Sequence, residues 1–240
     1  MLEQYTRRAF LGKAAKGIAL VGGVFLASSQ SASADEGSSP RLNDWFHTEI
    51  FLLDNVLRCS SEETLDIKLD YTGFHSASRI TSEQGSIGNT PVHIDYDGFH
   101  ADSRFKSAEG NFGGRKVSLL YDGSHAASRL TKIEGYIGNE KVDIDFEGFH
   151  SASRLKSAKG SIDGKAVSLS YNGPHAASRI TEVCGSIGDD KIDLRTEGPH
   201  AASRITRLYG QLGAYDIDIH YEGFNAVSRP TSAHGTAKKR

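Results

Sequence analysis

One seven-residue segment, Gly-x-His-x-x-Ser-Arg, recurs at intervals of 25 residues with no insertion or deletion between its copies. The first copy is Gly73-Phe74-His75-Ser76-Ala77-Ser78-Arg79. The arginines fall at Arg79, Arg104, Arg129, Arg154, Arg179, Arg204 and Arg229. The histidines fall at His75, His100, His125, His150, His175 and His200, with Asn225 in the last place. A fixed period of this length makes each repeat one supersecondary unit that buries its apolar face only against its neighbours.

Laying the repeats over one another exposes apolar columns. Val92, Val117, Val142, Val167, Ile192 and Ile217 form one, and Ile94, Leu119, Ile144, Leu169, Leu194 and Ile219 the next. Tyr96, Tyr121, Phe146, Tyr171 and Tyr221 form a third, broken by Thr196. Polar residues alternate with them, as in Lys141-Val142-Asp143-Ile144-Asp145-Phe146, which is the pattern of a half-buried strand. A second strand follows each segment, with Ile133, Gly135 and Ile137 on one face and a bulge expected between Leu130 and Ile133. The glycines from Gly85 to Gly235 at 25-residue spacing suggest close backbone approach beneath a large aromatic. Gly113-Gly114, Gly138-Asn139, Asp163-Gly164 and Gly188-Asp189 are tight hairpin turns.

These readings predict an all-β fold, an antiparallel meander of seven 25-residue β-hairpins, curved or closed into a barrel. Trp45 to Arg58 reads as the one helix of the mature chain, with Phe46, Ile50, Leu53 and Leu57 at helical spacing and Asn43 or Asp44 as its cap. Fourteen strands enclose a lumen too wide for wall side chains alone to fill, so a closed barrel requires this helix inside it. An open sheet would carry the helix on its apolar face. A β-solenoid with one coil per repeat is the alternative architecture. The hairpin units are loosely similar to MORN repeats, which implies hairpins stacked in a row, although unit length and the His-x-x-Ser-Arg segment depart from that pattern.

The N-terminus carries Thr6-Arg7-Arg8-Ala9-Phe10-Leu11, a short apolar run and Ala32-Ser33-Ala34. Charged start, apolar stretch and small-x-small cut site are the parts of a secretory signal. The paired arginines before Phe10-Leu11 resemble a twin-arginine signal. That resemblance covers residues 1–34. It implies export of a folded protein by the twin-arginine translocase, a bacterial or archaeal source, cleavage after Ala34, and a periplasmic or secreted destination. The expected organisation is thus 1–34 signal, 35–61 linker and capping helix, 62–236 repeat domain and 237–240 basic tail. The apolar run is too short to span a bilayer.

Without the leader the chain has 24 basic and 29 acidic residues, a net of −5, which argues against nucleic acid as a partner. Cys59 and Cys184 are the two cysteines, in a compartment where a disulfide between them can persist. Pro230 and Lys238-Lys239-Arg240 read as guards of a final edge strand.

Two readings of the repeated segment follow. In one it is a self-satisfying loop, its arginine answering an acid across the turn (Asp97, Asp122, Glu147, Glu197 or Glu222) and its serine bonding the backbone. In the other the thirteen histidines and arginines form a row or ring that binds an anionic ligand, such as a glycan or cell-wall polymer. A shared metal ion fits poorly, because equivalent loops two strands apart lie about 9.5 Å from one another. Near-identical copies carry no base-orienting third group, so no catalytic residue is assigned. The sequence specifies no cofactor. A surface assembly subunit and a metal- or cofactor-loaded periplasmic protein remain the other functional readings.

Overall fold

The computed structural model describes residues 45–73, 80–98, 105–123, 130–148, 155–173, 180–198, 205–223 and 230–240, with the backbone alone of Ser124 and Arg129. Helix α1 (Trp45–Cys59) is followed by β1 (Thr64–Gly73), β2 (Ile80–Ile87), β3 (Thr90–Gly98), β4 (Phe105–Phe112), β5 (Arg115–Ser124), β6 (Arg129–Ile137) and β7 (Glu140–Gly148). The second half holds β8 (Leu155–Ile162), β9 (Lys165–Asn172), β10 (Glu182–Ile187), β11 (Asp190–Glu197), β12 (Arg207–Leu212), β13 (Tyr215–Glu222) and β14 (Ser232–Lys239). Every strand pairs antiparallel with its sequence neighbours, and β14 pairs with β1 to close a 14-stranded barrel. The antiparallel pairing excludes the solenoid, and closure excludes the open sheet.

Alternation along each strand decides which side chains line the interior. On β1, Leu65, Ile67, Leu69 and Tyr71 are buried while Asp66, Lys68 and Asp70 are exposed. The same rhythm runs round the wall, so the interior is apolar and the outside charged. Lipid-facing barrels have the reverse arrangement. Among the described residues, Leu120 and Tyr136 are the only large apolar side chains left exposed, and no helix is long and apolar enough to cross a membrane.

The register sets the diameter. Leu69 pairs with Gly85, and Gly85 with Val92, so a lateral neighbour lies 23 residues on, two short of the 25-residue repeat. Seven such offsets shift the register by about 14 residues per circuit, and strands about 4.8 Å apart then give a radius of roughly 13 Å. Wall side chains fill the outer half of that radius, and a helix some 10–12 Å across fills the rest. Trp45 through Val56 are accordingly buried on every face, including Phe51 and Leu52, which lie off the stripe of Phe46, Ile50, Leu53 and Leu57. The helix is the core of the barrel, and its hydrophobic requirement is met all round.

The bulges fall where alternation breaks. Asp122 pairs with Lys132 and Gly123 with Leu130, leaving Thr131 as the extra residue. The same shift recurs at Thr72/Gly73, Asp97/Gly98 and Glu147/Gly148. The short turns place Gly88, Gly113 and Gly138 at φ of 56°, 57° and 64°, and Asp163 at 51°, as tight hairpins of primed type require.

The glycine column marks the close backbone approach expected of it: a Cβ on Gly135 would meet the Ser118 carbonyl oxygen of the neighbouring strand at 2.1 Å. The kinked glycine lets the wall bend sharply enough to close. One expectation needs correction. The basic C-terminus is no tail beyond residue 236, because β14 runs through Lys239 and Thr64 pairs with Lys238. Pro230 and the terminal lysines guard no open edge, since closure leaves none.

Candidate functional site

Antiparallel order puts all seven segment-bearing joins at one mouth of the barrel and the tight turns at the other. The side chains of His75, His100, His125, His150, His175, His200 and of the seven arginines lie outside the described residues. The described strand ends nevertheless fix where each segment leaves and re-enters the wall, at Gly73 and Ile80, Gly98 and Phe105, and onward round the ring. Equivalent joins are two strands, about 9.6 Å, apart. Three of the acids flanking the segments have partners on the following strand. Ser157 donates to Glu147 at 3.1 Å and Ser232 to Glu222 at 3.3 Å, while Arg207 stands 3.8 Å from Glu197.

Below that mouth the wall carries Tyr71, Tyr96, Tyr121, Phe146, Tyr171, Thr196 and Tyr221, one per hairpin, and the first turns of α1 sit among them. Trp45 packs between Tyr71 and Tyr221, with ring centres 5.6 and 5.5 Å away. Tyr71 and Tyr221 both donate to Glu49, at 3.0 and 2.6 Å. Thr48 bonds Tyr121 at 2.5 Å, and Tyr171 meets His47 Nδ1 at 3.2 Å. Tyr96 donates to Glu83 of β2 at 2.7 Å. Burial pushes the tyrosine hydroxyls Tyr71, Tyr96 and Tyr221 well above their ordinary value, so they remain donors.

Glu49 and Glu83 are both fully buried and repel one another. Burial first, and the Glu83 charge second, push Glu49 up to about 8; burial pushes Glu83 up to about 7. Burial also lowers His47 to about 3, leaving it neutral. Among the described residues, one carboxyl oxygen of Glu83 (Oε1) and the Trp45 indole nitrogen have no hydrogen-bond partner. Each acid in this cluster favours its protonated form, but with both at 0 % exposure no substrate reaches them. Sequence reasoning missed it. The available signal was Glu83 itself, an acid in a column otherwise filled by Ala108, Ile133, Ala158, Val183, Leu208 and Ala233.

At the opposite mouth the last turn of α1 meets a charged ring. Asn55 bonds both Glu140 and Arg115, and Arg58 lies 3.5 Å from Asp54 and 3.7 Å from Glu140. Burial raises Asp54 to about 7 despite the Arg58 charge beside it. Two shallow cavities, about 190 and 250 Å³, flank this end, the first lined by Asp54, Arg58, Asp190 and Lys239.

The two cysteines are free thiols. Cys59 ends the helix and is exposed, whereas Cys184 projects from the outside of the wall towards Asp193, 3.9 Å away. Glu182, Cys184 and Asp193 cluster there, with burial raising the thiol. Comparison of the chain with protein-family models, curated proteins and solved structures returns no match.

Proposed function

We propose that the barrel is an exported, non-catalytic scaffold whose seven His/Ser/Arg segments form a ring that captures a polyanionic ligand, such as an acidic glycan or cell-wall polymer. The observation that carries this reading is closure. The β1–β14 pairing turns a row of seven segments into a ring around one mouth. Arginine beside serine suits carboxylate, phosphate or sulfate groups, and repetition makes each further contact intramolecular once the first has formed. The partially positive N-terminal end of α1 comes to the same mouth. Of the buried acids below, burial favours the neutral form of Glu49, which limits the opposing charge beside the helix end. Closure also counts against a fibre grown by edge addition, as there is no edge strand to extend.

The test is retention of the mature protein on a sulfated or phosphorylated polysaccharide. Replacing Arg129, Arg154 and Arg179 by Ala, singly and together, is expected to weaken binding roughly two- to fivefold per arginine, steeply with salt, at unchanged melting temperature. Loss of stability without any retained anion would instead identify the segments as self-contained loops.

A further inference from the structure

We propose that His220 and His234 form a two-imidazole site for a late first-row divalent metal ion on the outer wall, independent of the segment ring. The two residues face each other directly across β13 and β14. They are the one pair of histidines in ring contact among the described residues, with centres 5.8 Å apart and planes 20° from parallel. Zinc or copper holds imidazole nitrogens at about 2.0–2.1 Å, which puts the centres of two rings on one ion roughly 5–6 Å apart. The observed spacing falls in that range, and rotation of the two exposed side chains would turn a nitrogen of each ring towards one ion.

The surroundings orient the pair. Asp218 Oδ1 stands 3.4 Å from His220 Nε2, the outer carboxylate that favours a proton on Nε2 and leaves Nδ1 free as a ligand. Arg207, opposite His220 on β12, does not compete for the site, because it is bound to both Asp218 oxygens at 2.8 and 2.9 Å and lies over the Tyr209 ring. Lys68, opposite His234 on β1, is exposed and on a stem long enough to swing away. His220 is half-exposed and His234 is exposed, so an ion reaches them from solvent. The equivalent pair in the preceding hairpins is Arg195 with Tyr209 and Ser170 with Cys184, so the site belongs to the final hairpin alone. Imidazole donors select copper, nickel and zinc over magnesium or calcium.

Site-resolved ¹H–¹⁵N spectra of the imidazoles, recorded on the mature protein titrated with Zn²⁺ alone, test this. The His220 and His234 signals are expected to shift together along one isotherm. His234→Ala should weaken the shift of His220 at least tenfold, and His220→Gln should do the same to His234, because each leaves a single ligand. Unchanged melting temperatures in both variants would confirm that the fold is intact. If the two signals move independently, or if His220 responds equally in the His234→Ala variant, the shared site does not exist. Shifts confined to other histidines overturn it equally.

Discussion

At the residue scale, glycine and glutamate do the least replaceable work. Gly135 at φ 141° lies against the Ser118 carbonyl, whereas Gly114 at φ 79° has nothing within 4 Å of an added Cβ. Gly135→Ala is therefore expected to cost about 3 kcal/mol or more, combining backbone strain with a clash, and Gly114→Ala about 1 kcal/mol from strain alone. Urea melts of the two variants check this, and equal costs would remove the steric argument. Glu49, Glu83 and Asp54 bear on pH. Their folded values lie above the ordinary carboxyl range, so their protons stabilise the barrel below about pH 4.5 and that stability is lost as pH rises to about 8. His47 works in the opposite direction, its stability being present above about 6.5 and lost as pH falls towards 3. Between 4.5 and 6.5 the folded state holds more protons than the unfolded chain, so maximal stability is expected near pH 4–5. Stability is expected to fall steadily from there to pH 8. Glu83→Gln should flatten the alkaline side of the profile in thermal melts. An unaltered profile would show that the acids do not govern it.

At the element scale, α1 faces a wall of seven near-identical hairpins, which offers it seven near-equivalent rotations about the barrel axis. The irregular positions distinguish them. Phe146 lacks a hydroxyl and takes the face of His47, with ring centres 5.1 Å apart, while the acid at Glu83 breaks an apolar column. Glu49 takes its two donors from Tyr71 and Tyr221, which flank the seam. Buried polar groups here select one setting, a registry role documented for polar residues in helical cores. The apolar remainder of the helix supplies the stability. Leu53→Ala, at a site with no exposure, should cost about 2–5 kcal/mol through lost burial and a cavity that the closed wall cannot collapse to fill. Denaturant unfolding measures this directly. A cost under 1 kcal/mol would mean that the helix is loosely held.

At the scale of the whole molecule, the seam between β1 and β14 joins residues more than 160 positions apart, as in Leu69 with Ala233. Closing it while enclosing the helix is an entropic task left to the last hairpin. Removing residues 232–240 should therefore expose both neighbouring edges and the helix side together. Light scattering is expected to show association and a hydrophobic dye to show bound apolar surface, whereas a monomeric, dye-silent product would count against a single cooperative barrel. The proposed polyanion ring belongs to this scale as well, since seven segments share one mouth only once the seam is shut.

Much of this was written in the chain. Strict alternation in residues such as Val142, Ile144 and Phe146, the turn glycines and the unbroken period specify seven hairpins and their bulges, because these depend on neighbours within one repeat. Arithmetic on fourteen strands also requires a filling for any closed barrel, and one apolar helix was available to provide it. The sequence did not decide between an open and a closed wall, nor did it pair Glu49 with Glu83 or His220 with His234. Those outcomes depend on the two-residue stagger between hairpins and on the rotation of α1 inside the barrel. Both are collective properties of all fourteen strands, so no single repeat contains them.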